Sequence, residues 1–169
     1  MADSKKRPPC VLGFYQTVAR PSGEICGGVL ITSHLGRPIE FQCSLPIRPN
    51  ATQQTLYGTT LMPFIKGELI AEALYDKLSA KPDILFVSDP ECVAEGVWGE
   101  IGVVCFAEFP NGQEQQITKN EKGFVSTSHT AAFHKMQPKL KEYLPESASL
   151  QEPLVRVEQA LDEAMGQAA

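Results

Sequence analysis

Four consecutive apolar residues, Ile84-Leu85-Phe86-Val87, restrict the fold more than any other feature of the chain. Lys81-Pro82-Asp83 precedes them and Ser88-Asp89-Pro90-Glu91 follows. A strand with one wet face alternates apolar and polar side chains, whereas an unbroken apolar run marks a strand covered on both faces. Such a strand needs packed layers above and below it, so the rest of the chain has to supply them.

The remaining elements follow from periodicity and turn chemistry. Val11 to Ala19 reads as a strand, closed by the turn Arg20-Pro21-Ser22-Gly23. Glu24 to Thr32 reads as a second strand. Ile39, Phe41, Cys43, Leu45 and Ile47 alternate with polar residues and Pro46 as a third. A loop centred on Leu35 sets Ile31 opposite Ile39, Val29 opposite Phe41 and Ile25 opposite Leu45, which gathers the apolar sets on one face. Cys43 then opposes Gly27 and Cys26 points to the other side, so no Cys26–Cys43 disulfide is expected. Residues 53 to 78 are helical in pattern, with Asn50 or Thr52 as cap and Pro63 as an interruption. Asp89 as N-cap with Pro90 behind it opens a short helix. Ile101 to Phe109 is a strand that turns at Asn111-Gly112 and returns through Gln113 to Thr118. Phe124-Val125-Ser126, a helix from His129 to Tyr143 containing Pro138, and a terminal amphipathic helix bearing Leu150, Leu154, Val157, Leu161 and Ala164 complete the chain.

The expected fold class is α+β, with α/β open. It has a three-stranded antiparallel meander, a long Pro-interrupted helix, a buried strand, a short helix, a strand or hairpin, and C-terminal helices. This order resembles the ribonuclease-H-like arrangement, and it also fits other folds that add a helix to a three-stranded meander. At 169 residues and 43% hydrophobic content the chain suits one globular domain. The expected division is a disordered basic tail at 1–9, one domain at 10–145 and an acidic amphipathic helix at 146–169. No run approaches the ~18 apolar residues of a membrane span.

Charge and cysteines bound the function. The net charge is −5, and basic residues concentrate only in the N-terminal tail and at Lys135, Lys139 and Lys141. Nucleic-acid binding draws on a basic face, so nucleic acid is not expected as a partner. The five cysteines form no CxxC pair and stand near no histidine at zinc spacing. With no secretory h-region after the first residues, the expectation is a cytoplasmic protein with reduced thiols.

The ribonuclease-H-like order carries a chemical requirement that can be checked. Phosphodiester cleavage by two divalent metals needs several convergent carboxylates, one of them normally on the first strand. Val11 to Ala19 holds no acid, only Gln16 and Thr17 as polar groups. Asp89 stands where an acid after the fourth strand belongs; Glu68 or Glu72 would come from the long helix, and Glu24 or Glu40 would substitute from the second or third strand. Glu68, Glu72 and Asp76 also form one acidic helical stripe. The set is incomplete. The leading expectation is therefore a non-enzymatic adaptor without cofactor, acting through a protein partner or self-association. Glycine-flanked Trp98 and the helix residues Leu154, Val157 and Leu161 are its candidate contacts. The alternative is a Mg²⁺- or Mn²⁺-dependent nuclease or phosphoryl hydrolase using Asp89, Glu68, Glu72, Glu40 and Glu24.

Overall fold

In the computed structural model, which describes residues 8–167, the apolar run forms a strand with all four residues buried. The strands are β1 (Val11–Ala19), β2 (Ile25–Ser33), β3 (Pro38–Cys43), β4 (Ile84–Val87), β5 (Gly102–Cys105), β6 (Gly112–Gln116) and β7 (Lys122–Ser126). They build one seven-stranded sheet in the order β3-β2-β1-β4-β5-β7-β6. β4 lies parallel to β1 and to β5, and the remaining pairs are antiparallel. An antiparallel meander joined to two parallel strands makes the mixed α+β architecture that the element order resembles.

The helical elements are α1 (Ala51–Tyr57), α2 (Leu61–Pro63), α3 (Ile70–Lys77), α4 (Thr130–Tyr143) and α5 (Glu152–Gln167). A π-helical segment, Phe64–Leu69, links α2 to α3 directly after Pro63. Asn50 caps α1, accepting from the Gln53 amide while the Gln53 side chain accepts from the Asn50 amide. Among the described residues no helix is long and apolar enough to cross a membrane.

Alternation along the central strands splits the core into two layers. Leu12, Phe14, Ile84 and Phe86 pack with Phe133 of α4 and with Leu154, Val157 and Leu161 of α5. Val11, Tyr15, Leu85 and Val87 pack on the opposite face with Ile70, Leu74 and Trp98. The pair Gly27-Gly28 in β2 lets both layers approach. A Cβ on Gly27 would run into Ile70, and one on Gly28 would meet Leu161 and Phe41 at 3.1 Å.

Three expectations are corrected here. β2 and β3 pair one residue out of the expected register, with Leu30 opposite Phe41, Val29 opposite Gln42 and Gly28 opposite Cys43, and with an irregularity between Ile31 and Thr32. β2 is covered on both faces, so its odd positions do not reveal which side β3 shares; the one-residue slip reverses the β3 side chains from Glu40 to Cys43, while Pro38 keeps the expected partner Thr32. Leu45, beyond the end of β3, is 81% exposed, and Ile47 takes the place opposite Ile25. Cys26 and Cys43 then project to the same side of the sheet, both as free thiols. Second, Asn111-Gly112 does not return a strand onto β5. β7 takes that inner position because it brings Val125 and Phe124, while the polar β6, Gly-Gln-Glu-Gln-Gln, is left at the edge. Third, Leu154, Val157 and Leu161 are at most 2% exposed against β1 and β2, so they hold α5 to its own body and offer no surface to a partner. The basic tail expected at 1–9 lies outside the described residues except for Pro8 and Pro9.

Leu161→Ala opens a cavity between α5 and the glycine-bearing stretch of β2. It should lower the unfolding free energy by about 2–5 kcal/mol in urea denaturation.

Candidate functional site

In an open sheet of this kind, ligands sit outside the carboxyl ends of the strands where the chain order reverses. Here that point lies between β1 and β4. β1 contributes Gln16 and Thr17, and the segment after β4 contributes Ser88, Asp89 and Glu91. Gln16 donates its side-chain amide to the Ser88 hydroxyl at 2.8 Å and ties the two strand ends together. Asp89 caps the 3₁₀ turn Pro90–Cys92, with its Oδ1 accepting from the Glu91 amide at 2.9 Å.

The charge at this crevice comes from the π segment. Lys66 reaches over the strand ends and its Nζ contacts Asp89 Oδ2 at 3.0 Å and Glu91 Oε1 at 3.1 Å. Two local features hold Lys66 there. The buried Tyr15 hydroxyl donates to the Lys66 carbonyl. Gly67, with no side chain, lets the π segment press against the loop after β4, where a Cβ would stand 2.9 Å from the Glu91 carbonyl oxygen. π segments of this kind are frequent at functional sites. Burial of the Lys66 side chain, 14% exposed, works to lower its pKa. The hydrogen bonds and charges of Asp89 and Glu91 outweigh burial and hold it above the ordinary lysine value. Beneath the cluster, burial and then the Asp89 charge push the Cys92 thiol up to about 12, so it is no thiolate nucleophile.

The carboxylates weighed for metal chemistry do not assemble. Glu68 and Glu72 are exposed on the helical layer. Glu40 lies on β3, three strand spacings from β4, or about 14 Å. Its carboxylate is taken up by the Ser79 and Ala80 amides just beyond α3. Burial acts to raise the Glu40 pKa, but these amides and Gln42 lower it on balance. Glu24 belongs to the turn between β1 and β2, where Arg20 donates its amide to the Glu24 carbonyl. Among the described residues no group of three His, Cys, Asp or Glu side chains is placed to hold a metal ion. The residues therefore do not fit a two-metal clamp, and an ammonium stands between the two carboxylates that do meet.

Trp98 is 1% exposed and packs against Tyr15 and Tyr75, at ring-centroid distances of 5.4 and 5.9 Å. It is part of the core below the crevice, and not a surface anchor. A second polar group was not apparent in the sequence. A groove of about 390 Å³ adjoins Glu91 and is lined by Pro63, Glu95, Phe109, Asn111 and Ser126. Glu95 accepts from the Ser128 hydroxyl at 2.9 Å and the Ser126 hydroxyl at 3.3 Å, at the start of α4. Neighbouring His129 is 8% exposed and its Nδ1 has no hydrogen-bond partner; burial lowers its pKa, against the pull of Glu95.

No family model and no curated protein matches the chain. Solved structures do. A Ciona intestinalis endonuclease V variant in complex with a 23mer DNA containing an inosine followed by a ribo-adenosine is 9% identical, with a TM-score of 0.52, and the match covers 99% of this chain and 93% of that one. The same organism's endonuclease V with a 24mer DNA is 9% identical at TM-score 0.52, covering 95% and 87%. Human ENDOV is 11% identical at TM-score 0.51, covering 94% and 85%. The likeness is one of fold, of the ribonuclease-H-like type. It overturns the expectations of a non-enzymatic adaptor working through protein contacts and of a chain for which nucleic acid is no partner. A fold shared with endonuclease V structures stands against the first, and the burial of Trp98, Leu154, Val157 and Leu161 removes its candidate contacts.

Lys66→Met should cost about 1–2 kcal/mol, since it removes two charge-assisted hydrogen bonds from partly solvated carboxylates. The sign of the pH effect is fixed by the raised lysine pKa. Its stabilisation is complete below the unfolded value of about 10.4 and is lost as pH rises through the folded value. Urea denaturation of both proteins at rising alkaline pH should show the gap between them closing.

Proposed function

We propose that this chain is a nucleic-acid-binding protein built on a nuclease-type, ribonuclease-H-like fold, and that nucleic acid approaches at the carboxyl ends of β1 and β4. The observation that carries this is the match to endonuclease V structures, two of them holding DNA, over nearly the whole chain. α4 starts at the Glu95–Ser126–Ser128 group and presents Lys135, Lys139 and Lys141 to solvent, while Lys119 and Lys122 are exposed on the β6–β7 hairpin. Lys119 and Lys141 line one groove of about 300 Å³. These lysines would supply phosphate contacts along α4 and the hairpin of an otherwise acidic protein; the Lys119–Lys141 groove adjoins, through Leu144 and Pro145, the pocket beside Leu12 at the amino end of β1. Metal-dependent cleavage is not part of this proposal, because Asp89 and Glu91 are paired with Lys66 and the other acids lie elsewhere. A cytoplasmic location belongs to it; the support is five free thiols, four of them buried.

The test is fluorescence anisotropy with labelled inosine-containing DNA and with single-stranded RNA, alongside a cleavage gel with Mn²⁺. The expected result is binding in the range of roughly 10⁻⁴–10⁻⁶ M that weakens steeply with salt. Lys135→Glu with Lys139→Glu should weaken it further, with no Mn²⁺-dependent cut. No binding to either nucleic acid at low salt would overturn the proposal. A Mn²⁺-dependent cut abolished by Asp89→Asn would overturn its non-hydrolytic part.

A further inference from the structure

Asp89 and Glu91 are the two carboxylates that meet at the strand ends, and both are engaged by one ammonium at 3.0 and 3.1 Å. Their geometry is fixed from below by the Asp89 cap on the Glu91 amide. It is fixed from above by the close approach of Gly67 and by the Tyr15 hydroxyl on the Lys66 carbonyl. Carboxylate oxygens are hard donors of the kind that Mg²⁺ and Mn²⁺ take, but among the described residues no further Asp, Glu, His or Cys joins these two. Any divalent ion there would have to displace Lys66 or sit beside its charge.

We propose that the Lys66 ammonium occupies the place of a divalent cation between Asp89 and Glu91, so that the crevice is a metal-independent site whose capacity for Mg²⁺ or Mn²⁺ is released when Lys66 is removed. Lys66 neutralises one of the two negative charges and leaves the cluster at −1. Its stem comes from a neighbouring layer, so the same contact also clamps the helical layer to the strand ends. At the end of β1, Gln16 is taken up by the Ser88 hydroxyl, so β1 adds no acid to the pair. The inference does not rest on nucleic-acid binding, and its readout contains no nucleic acid.

The test uses the full chain with Mn²⁺ alone, followed by thermal melts and by isothermal titration. The wild-type protein should show no Mn²⁺-dependent shift in melting temperature. Lys66→Glu, which adds a third carboxylate, should melt lower without metal and gain several degrees in millimolar Mn²⁺. Asp89→Asn in that background should erase the gain. Lys66→Gln keeps the side-chain length close and leaves two carboxylates; it should bind Mn²⁺ by titration even if Lys66→Glu does not fold. Two results would overturn the proposal: a Mn²⁺ shift in the wild-type protein that Asp89→Asn removes, or folded Lys66→Gln protein that binds no Mn²⁺.

Discussion

One ammonium group organises the crevice at the carboxyl ends of β1 and β4. Lys66 is largely buried, and a buried lysine keeps its charge only with partners. Asp89 and Glu91 provide them, and the constraint propagates outward. The π segment is needed to swing Lys66 over the strand ends, Gly67 is needed for the segment to come close enough, and the Tyr15 hydroxyl is consumed in holding its carbonyl.

That arrangement depends on a central sheet covered on both faces. β1 and β4 lie side by side and in parallel, and their alternate residues feed two separate apolar layers. Burial on both sides ties the strands into the core, while the residues that follow them stand outside the two apolar layers. The edge strands β3 and β6 are more exposed and carry polar or weakly packed residues. The two sides of the molecule also differ in charge. Lysines run along α4 and the β6–β7 hairpin, whereas Glu68, Glu72 and Asp76 lie exposed on the layer containing the π segment.

The sheet's centre was legible in the sequence because it rests on local signals. The unbroken apolar run is β4, the strand at 11–19 is β1, and the recurrence of Leu154, Val157 and Leu161 is α5. Register was not legible where burial erased the alternation, as in β2, and a one-residue slip changed the facing of β3 from Glu40 to Cys43. The order of β5, β6 and β7 was set by competition between a polar and an apolar strand for an inner position, which adjacency in sequence does not reveal. Asp89 as an N-cap was readable from Asp-Pro. Its pairing with Lys66 was not, because the two are 23 residues apart and Lys66 looks like any helix-surface lysine. Glu95 and the two serines are likewise brought together only by the fold, across a separation of 31 and 33 residues.

The most direct test of this account is a crystal structure of the wild-type protein grown in millimolar Mn²⁺, with anomalous data collected at the manganese edge. The account predicts the Lys66 Nζ between Asp89 and Glu91 and no anomalous peak at those carboxylates. A manganese ion bound to Asp89 and Glu91, with Lys66 swung away, would contradict it.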